Sequence, residues 1–171
     1  MTTFGDGVFQ YGGVPIGAPG MLPIMGGSAK AFFVDPARGV STNSGLRPDD
    51  ALTTVKAAYD LCTDKAGDVV YLLNDGNTTG SAREAAGLVW AKDNTHLVGL
   101  CAPAVNQRAR ITQTSASTDV DDYTQFLTVS GHGNIFQNIA LVQGNSEDGK
   151  ASVGIKNSGN LNYFNNVGVF I

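Results

Sequence analysis

Residues 125–144 read QFLTVSGHGNIFQNIALVQG and residues 151–171 read ASVGIKNSGNLNYFNNVGVFI. Placing Phe136 over Phe164 superimposes Asn138 on Asn166, Ile139 on Val167 and Leu141 on Val169, an offset of 28. The motif continues upstream. Leu97 falls on Phe136 at an offset of 39, the extra residues being absorbed by the polar insertion 115–123, and Tyr71 precedes Leu97 by 26. Spacings of this size, with insertions confined to loops, are the signature of stacked coils in a solenoid.

Working outward, 88–102 and 107–114 repeat the same theme of short strand, Gly/Asn/Asp turn and short strand. DVVYLL (68–73) is a near-continuous apolar run, as expected of a strand covered on both faces. AFFV (31–34) is a strand stopped by Asp35 and Pro36. Between them lies one helical pattern. Pro48 fits its first position, Asp49 and Asp50 its first turn, and Ala51, Leu52, Val55, Ala58, Tyr59 and Cys62 share one face, with Lys65 and Gly67 as the stop.

No second helical pattern follows Gly67, so a doubly wound sheet lacks its crossover helices. An antiparallel sandwich would show alternating strands and hairpins, not a recurring motif. The expected fold is all-β, a parallel β-helix with an N-terminal capping α-helix and an extended N-terminal arm. Asn138 and Asn166 fit turn positions, where Asn tolerates the left-handed region and can stack on its equivalent in the next coil.

The 171 residues set a prior of one domain. Charged residues are only 15% and Gly reaches 22, while thirteen asparagines carry much of the polarity. The net charge of −4 and the absence of a basic cluster beyond Arg108 and Arg110 leave no electrostatic footprint for nucleic acid or an anionic membrane. Residues 7–29 have neither the basic leader of a signal peptide nor the length of apolar run that spans a membrane, so a reducing cytosol is expected, with Cys62 and Cys101 free and buried. The sequon at Asn77 then has no consequence.

Residues 1–29 interleave Gly and Pro with Phe4, Val8, Phe9, Tyr11, Val14, Ile16, Met21, Leu22, Ile24 and Met25. The breakers exclude a regular element, yet disordered segments are poor in such side chains. Each would recover about 1.5–3 kcal/mol if buried. The segment needs a surface, either along its own domain or on another subunit, and is taken here as a docking arm, with 30–171 forming the β-helix (capping strand and helix 31–66, coils 68–171).

The stretch FFVDPARGVSTNSGLRPDDALTTVKAAYDLCTDKAGDVVYLL (32–73) resembles the opening of right-handed parallel β-helix proteins of the pectate-lyase-like superfamily. In that resemblance the helix 49–64, through Leu52, Val55 and Tyr59, caps the N-terminal end of the solenoid, which would otherwise expose a hydrophobic cross-section and unpaired edges. The segments FGDGVFQYGGVPIG, NTHLVGLCAP and QRARI are similar to a group of tailed-bacteriophage virion proteins. This resemblance implies a capsid decoration protein that assembles as a homotrimer on the major capsid protein, on the exterior of the virion, after synthesis in the bacterial cytoplasm. Relatives of this kind continue for further coils, whereas this sequence stops at NNVGVFI, so either another chain covers the last coil or the sequence is the front of something longer.

Chemistry gains little from the sequence. Polysaccharide cleavage on a β-helix calls for carboxylate pairs about 5–9 Å apart or acids beside Arg or Lys. From Leu97 onward the acids are Asp119, Asp121, Asp122, Glu147 and Asp148, all in polar insertions. His96 and His132 occupy comparable places near the starts of neighbouring coils, with no Cys or carboxylate in a register that would complete a metal site. Trp90 closes a coil. The expectation is a protein that is not an enzyme and has no cofactor or metal; glycan recognition is open but unsupported, and a tail-associated receptor-binding or depolymerase protein is the alternative.

Overall fold

The computed structural model describes residues 10–11, 14–15, 29–73, 87–100, 109–112, 125–142 and 153–170. Phe4, Val8, Phe9, Ile16, Met21, Leu22, Ile24 and Met25 of the arm lie outside them, as do Cys101 and the acids of the polar insertions. Within the arm the backbone forms one antiparallel pair, β1 (Gln10–Tyr11) with β2 (Val14–Pro15). This corrects the expectation that Gly and Pro exclude regular structure there.

Among the described residues the solenoid shows two parallel sheets. The larger runs β11 (Tyr163–Phe170), β9 (Ile135–Val142), β6 (His96–Gly99), β4 (Val69–Leu72), β3 (Ala31–Val34), with β7 (Arg110–Thr112) also on β9. The smaller runs β10 (Val153–Asn157), β8 (Gln125–Val129), β5 (Leu88–Trp90). Successive coils alternate between the sheets, β5 to β6, β8 to β9 and β10 to β11, which is the path of a parallel β-helix.

Register follows the sequence repeat at the C-terminal end, where Phe164 pairs with Phe136 and Val169 with Leu141, and between coils where Leu97 pairs with Phe136. At β4 it differs by one: Val70, not Tyr71, pairs with Leu97. Because side chains alternate across a strand, that single residue moves Tyr71 to the outer face. There it joins Val69 and Val98 in a second small core and stacks on Phe33 at 5.6 Å. The inner face carries Val70, Leu72, Leu97, Phe136, Ile139 and Leu141, all buried.

An aromatic column runs down the interior. Tyr59 lies 4.2 Å from Trp90, Trp90 meets Phe136 edge-on at 5.4 Å, and Phe136 stacks on Phe164 at 5.0 Å. Such pairs add about 0.5–1.5 kcal/mol each beyond the area they bury.

The predicted helix is shorter and starts later. Pro48–Asp50 is a single 3-10 turn, and α1 spans Val55–Leu61. Ala51 is extended and Leu52 forms a parallel bridge to Val34, so strand pairing wins over helical spacing until Thr54, whose side chain accepts the Ala57 N–H. The stop is also different. Lys65 is not at the helix end; the ammonium of Lys92, from the next coil, donates to the carbonyls of Tyr59, Asp60 and Cys62 at 2.7–3.0 Å.

Candidate functional site

Three turns of equal length, 91–95, 130–134 and 158–162, connect the two sheets and stack directly on one another. They read AKDNT, SGHGN and SGNLN. The fourth residue of each is left-handed: Asn94 at φ 48°, Gly133 at 68° and Leu161 at 59°, continuing Gly67 at 80° in the preceding turn.

The third positions form a polar ladder. The backbone N–H of Asp93 donates to Asp64 Oδ1 at 2.7 Å, that of His132 to Asp93 Oδ1 at 2.8 Å, and that of Asn160 to His132 Nδ1 at 2.9 Å. The fifth positions form another, buried at Thr95 and Asn134 and part-buried at Asn162: Thr95 N–H donates to Asn134 Oδ1 at 2.8 Å, and Asn134 N–H to Asn162 Oδ1 at 2.9 Å. In the first coil Asp68 plays the same part, accepting from the backbones of Lys30 and Thr63. Polar side chains that sequence reading treats as surface thus hold one coil to the next.

The carboxylates of Asp64 and Asp93 flank the Lys65 ammonium at 3.8 Å each. The Lys65 ammonium and the Asp64 carboxylate are largely exposed and both contacts are long, so they contribute little to stability, although the Asp93 carboxylate is itself mostly covered. Asp93 lies in the same column as His132, a juxtaposition that a survey of acids beginning at Leu97 misses. An equal spacing from Asp93 and His132 to the strands that follow is the signal that could have found it. The two histidines are not equivalent. His96 is the first residue of β6, in register with Val69 of β4, whereas His132 is in the turn. His96 is buried, accepts the Ile135 N–H at Nδ1, and burial lowers its affinity for protons. Both imidazoles accept at Nδ1, so each neutral ring carries its proton on Nε2. Among the described residues no group of three or more His, Cys, Asp or Glu is arranged to hold a metal ion, and no helix is long and apolar enough to cross a membrane.

Asn138 and Asn166 are left-handed at φ 54° and 51°, and Asn166 Nδ2 donates to Asn138 Oδ1 at 3.0 Å. Leu52, Val55 and Tyr59 are buried against the first coils, with the Tyr59 hydroxyl accepting the N–H groups of Ala91 and Lys92. Cys62 is buried and free, its thiol pushed up to about 12 by burial and by the Asp68 carboxylate. Trp90 is fully buried, its indole N–H on the Thr95 carbonyl. Of the ten apolar arm residues taken as docking candidates, only Tyr11 and Val14 fall within the described residues, through their backbones.

The two ends of the solenoid are built differently. At the N-terminal end, Phe33 donates to Gly45 O and accepts from Leu52 N, and Asp35 donates to Leu52 O, so residues 45–52 occupy the edge of β3. At the C-terminal end β11 and β10 are the last strands of their sheets, and Leu161, Tyr163, Val169 and Phe170 are exposed.

No protein-family model matches the chain. No curated protein matches it either. Among solved structures it is similar to a pectin methylesterase mutant in complex with a hexasaccharide, with a TM-score of 0.54 and 13% identity over 82% of this chain and 45% of that one. This chain therefore spans under half the length of that protein. The likeness shows the fold, a right-handed parallel β-helix. It also corrects the expectation that the chain is not an enzyme: the same architecture carries an esterase in that protein. The expectation rests on counting acids along the sequence, and a solenoid brings together groups from separate coils, as it does Asp64, Asp93 and His132.

Proposed function

We propose that the chain is a structural component of a tailed-bacteriophage particle, a capsid decoration protein that works as a trimer bound to the major capsid protein through residues 1–29. The observation that carries this reading is the use made of polarity in the solenoid: Asp64, Asp68, Asp93, His132, Asn134 and Asn162 are all spent on joining coil to coil. A scaffold stiffened in this way suits a particle under mechanical load, and three arms on one trimer would bind a repeating lattice through effective concentration. The test is to mix the purified protein with preformed empty capsids and image them by cryo-electron microscopy. Symmetric density on the shell, lost when residues 1–25 are deleted from a chain that still folds, is the expected result; a bare shell overturns the reading.

A second reading, a tail-associated receptor-binding or polysaccharide-depolymerase protein, draws on the fold, which in the pectin methylesterase complex accommodates a hexasaccharide. It predicts degradation of capsule or lipopolysaccharide by the purified chain.

A further inference from the structure

We propose that the outer face of the larger sheet is the seat of the chain's own N-terminal segment, residues 1–28, in the free protein. The inference concerns the chain by itself and does not rest on the capsid reading.

The two sheets treat their outer faces in opposite ways. On the smaller one the outward row is Val89, Thr128 and Lys156, with Val89 53% exposed and Lys156 in solvent. On the larger one the outward row is Phe33, Tyr71, Val98 and Gln137, with Val69 and His96 in the row beside it. Val69 and Val98 are fully buried there, and Tyr71, His96 and Gln137 keep only 4–6% exposure. One layer of side chains on a sheet does not bury itself to that degree; a parallel sheet buried on both faces has a second layer over each. Among the described residues, the apolar side chains packed with Val69, Tyr71 and Val98 are Ala31 and Phe33, which belong to the same face. A single chain achieves this burial, so the layer over the face is drawn from that chain and not from a partner.

Composition chooses the segment. Residues 74–86, 101–108, 113–124 and 143–152 hold three large apolar side chains between them, Val105, Val120 and Tyr123, whereas residues 1–28 hold ten besides Met1. The tether is in place as well. Lys30 donates its N–H to Asp68 Oδ1 at 2.7 Å and its carbonyl accepts the Val69 N–H at 2.9 Å, so the segment joins the solenoid at the margin of this face. From β3 across β4 and β6 to β9 is three strand spacings, roughly 14 Å, which an extended chain covers in about five residues. A segment tethered there meets the face at an effective concentration that a free partner does not match. The same side chains reach another surface only by leaving the sheet, which makes the face a store for the arm.

The test is photo-cross-linking of the full chain, with benzoylphenylalanine replacing Phe9 or, separately, Leu22, in an equal mixture of isotopically light and heavy protein. The expected result is a link from at least one position to peptide 68–73 or 95–100, joining light to light and heavy to heavy alone. Links only to other peptides, links between light and heavy chains, or no link from either position overturn the proposal. Hydroxyl-radical oxidation supplies a second readout: Tyr71 should oxidise several-fold faster in Phe9→Asp and Leu22→Asp than in the wild type, while Tyr59, inside the solenoid, keeps its wild-type rate. Tyr71 protection unchanged in both variants overturns the proposal, and where those variants do not fold the cross-links decide. The cross-links are read without capsids, so this proposal and the capsid reading can fail separately.

Discussion

Asn166 donates from Nδ2 to Asn138 Oδ1 at 3.0 Å across 28 residues, and both backbones are left-handed. Two separate demands meet at each position, a side chain that links coils and a backbone conformation few residues accept. Asn138→Ala loses both and should cost about 1–2 kcal/mol, from a hydrogen bond worth about 1 kcal/mol and a left-handed penalty of similar size. Asn138→Gly restores the backbone and should cost less. Urea denaturation of the two variants separates the contributions; equal stability of wild type and Asn138→Ala would show that neither matters.

Lys92 caps a helix that precedes it by some thirty residues. Its ammonium donates to three carbonyls at the end of α1 and sits 4.7 Å from the Tyr59 ring. Lys92→Met keeps the stem and removes the ammonium's three hydrogen bonds, leaving the Tyr59 carbonyl only its bond from the Cys62 N–H. The expected loss is about 2 kcal/mol, within the range for hydrogen bonds to charged groups. Amide exchange in α1 should accelerate more than in β9, which a purely global destabilisation would not produce.

These cases show what the sequence reveals and what it conceals. The offset of 28 is legible because Phe136/Phe164 and Asn138/Asn166 are distinctive pairs at a fixed distance. DVVYLL has no alternation, so nothing in it fixes register, and Tyr71 is placed one position away from its actual row. Ala51 and Leu52 fit a helical face as well as they fit the extended segment that bridges to Val34, and only the neighbouring strand decides. Lys92 as a cap, and Asp93 above His132, arise from coil stacking over 30 and 39 residues and have no local signature. Most of the arm falls outside the described residues.

His96 makes stability depend on pH. Burial lowers its proton affinity in the folded chain, while the unfolded chain keeps the ordinary value of about 6.5. As pH falls below that value the unfolded state takes up a proton first, so the stabilisation is complete above it and is lost as pH falls through the folded-state value. Protonation at Nδ1 would also remove the acceptor of the Ile135 N–H. Denaturation midpoints measured from pH 7.5 down to 5 should decline for the wild type and decline less for His96→Gln. Parallel declines would assign the effect to other groups.

The left-handed column ending in Leu161 contains a natural comparison. Gly133 meets its φ of 68° without strain, and a Cβ there would lie 2.5 Å from Asn94 Oδ1 in the turn above. Gly133→Ala should therefore cost about 1–2 kcal/mol from the left-handed conformation alone, plus the displacement of Asn94. Leu161 holds the same conformation with a full side chain that is 89% exposed, so it bears the strain without burial in return. Leu161→Asn places at the end of the column the residue already found at position 94, tolerant of the left-handed region. It should raise stability by several tenths of a kcal/mol or more, less than the full penalty because Asn also retains some of it. Thermal unfolding of Gly133→Ala and Leu161→Asn should shift in opposite directions; a downward shift in both would mean that the Leu161 side chain contributes packing that outweighs its backbone strain.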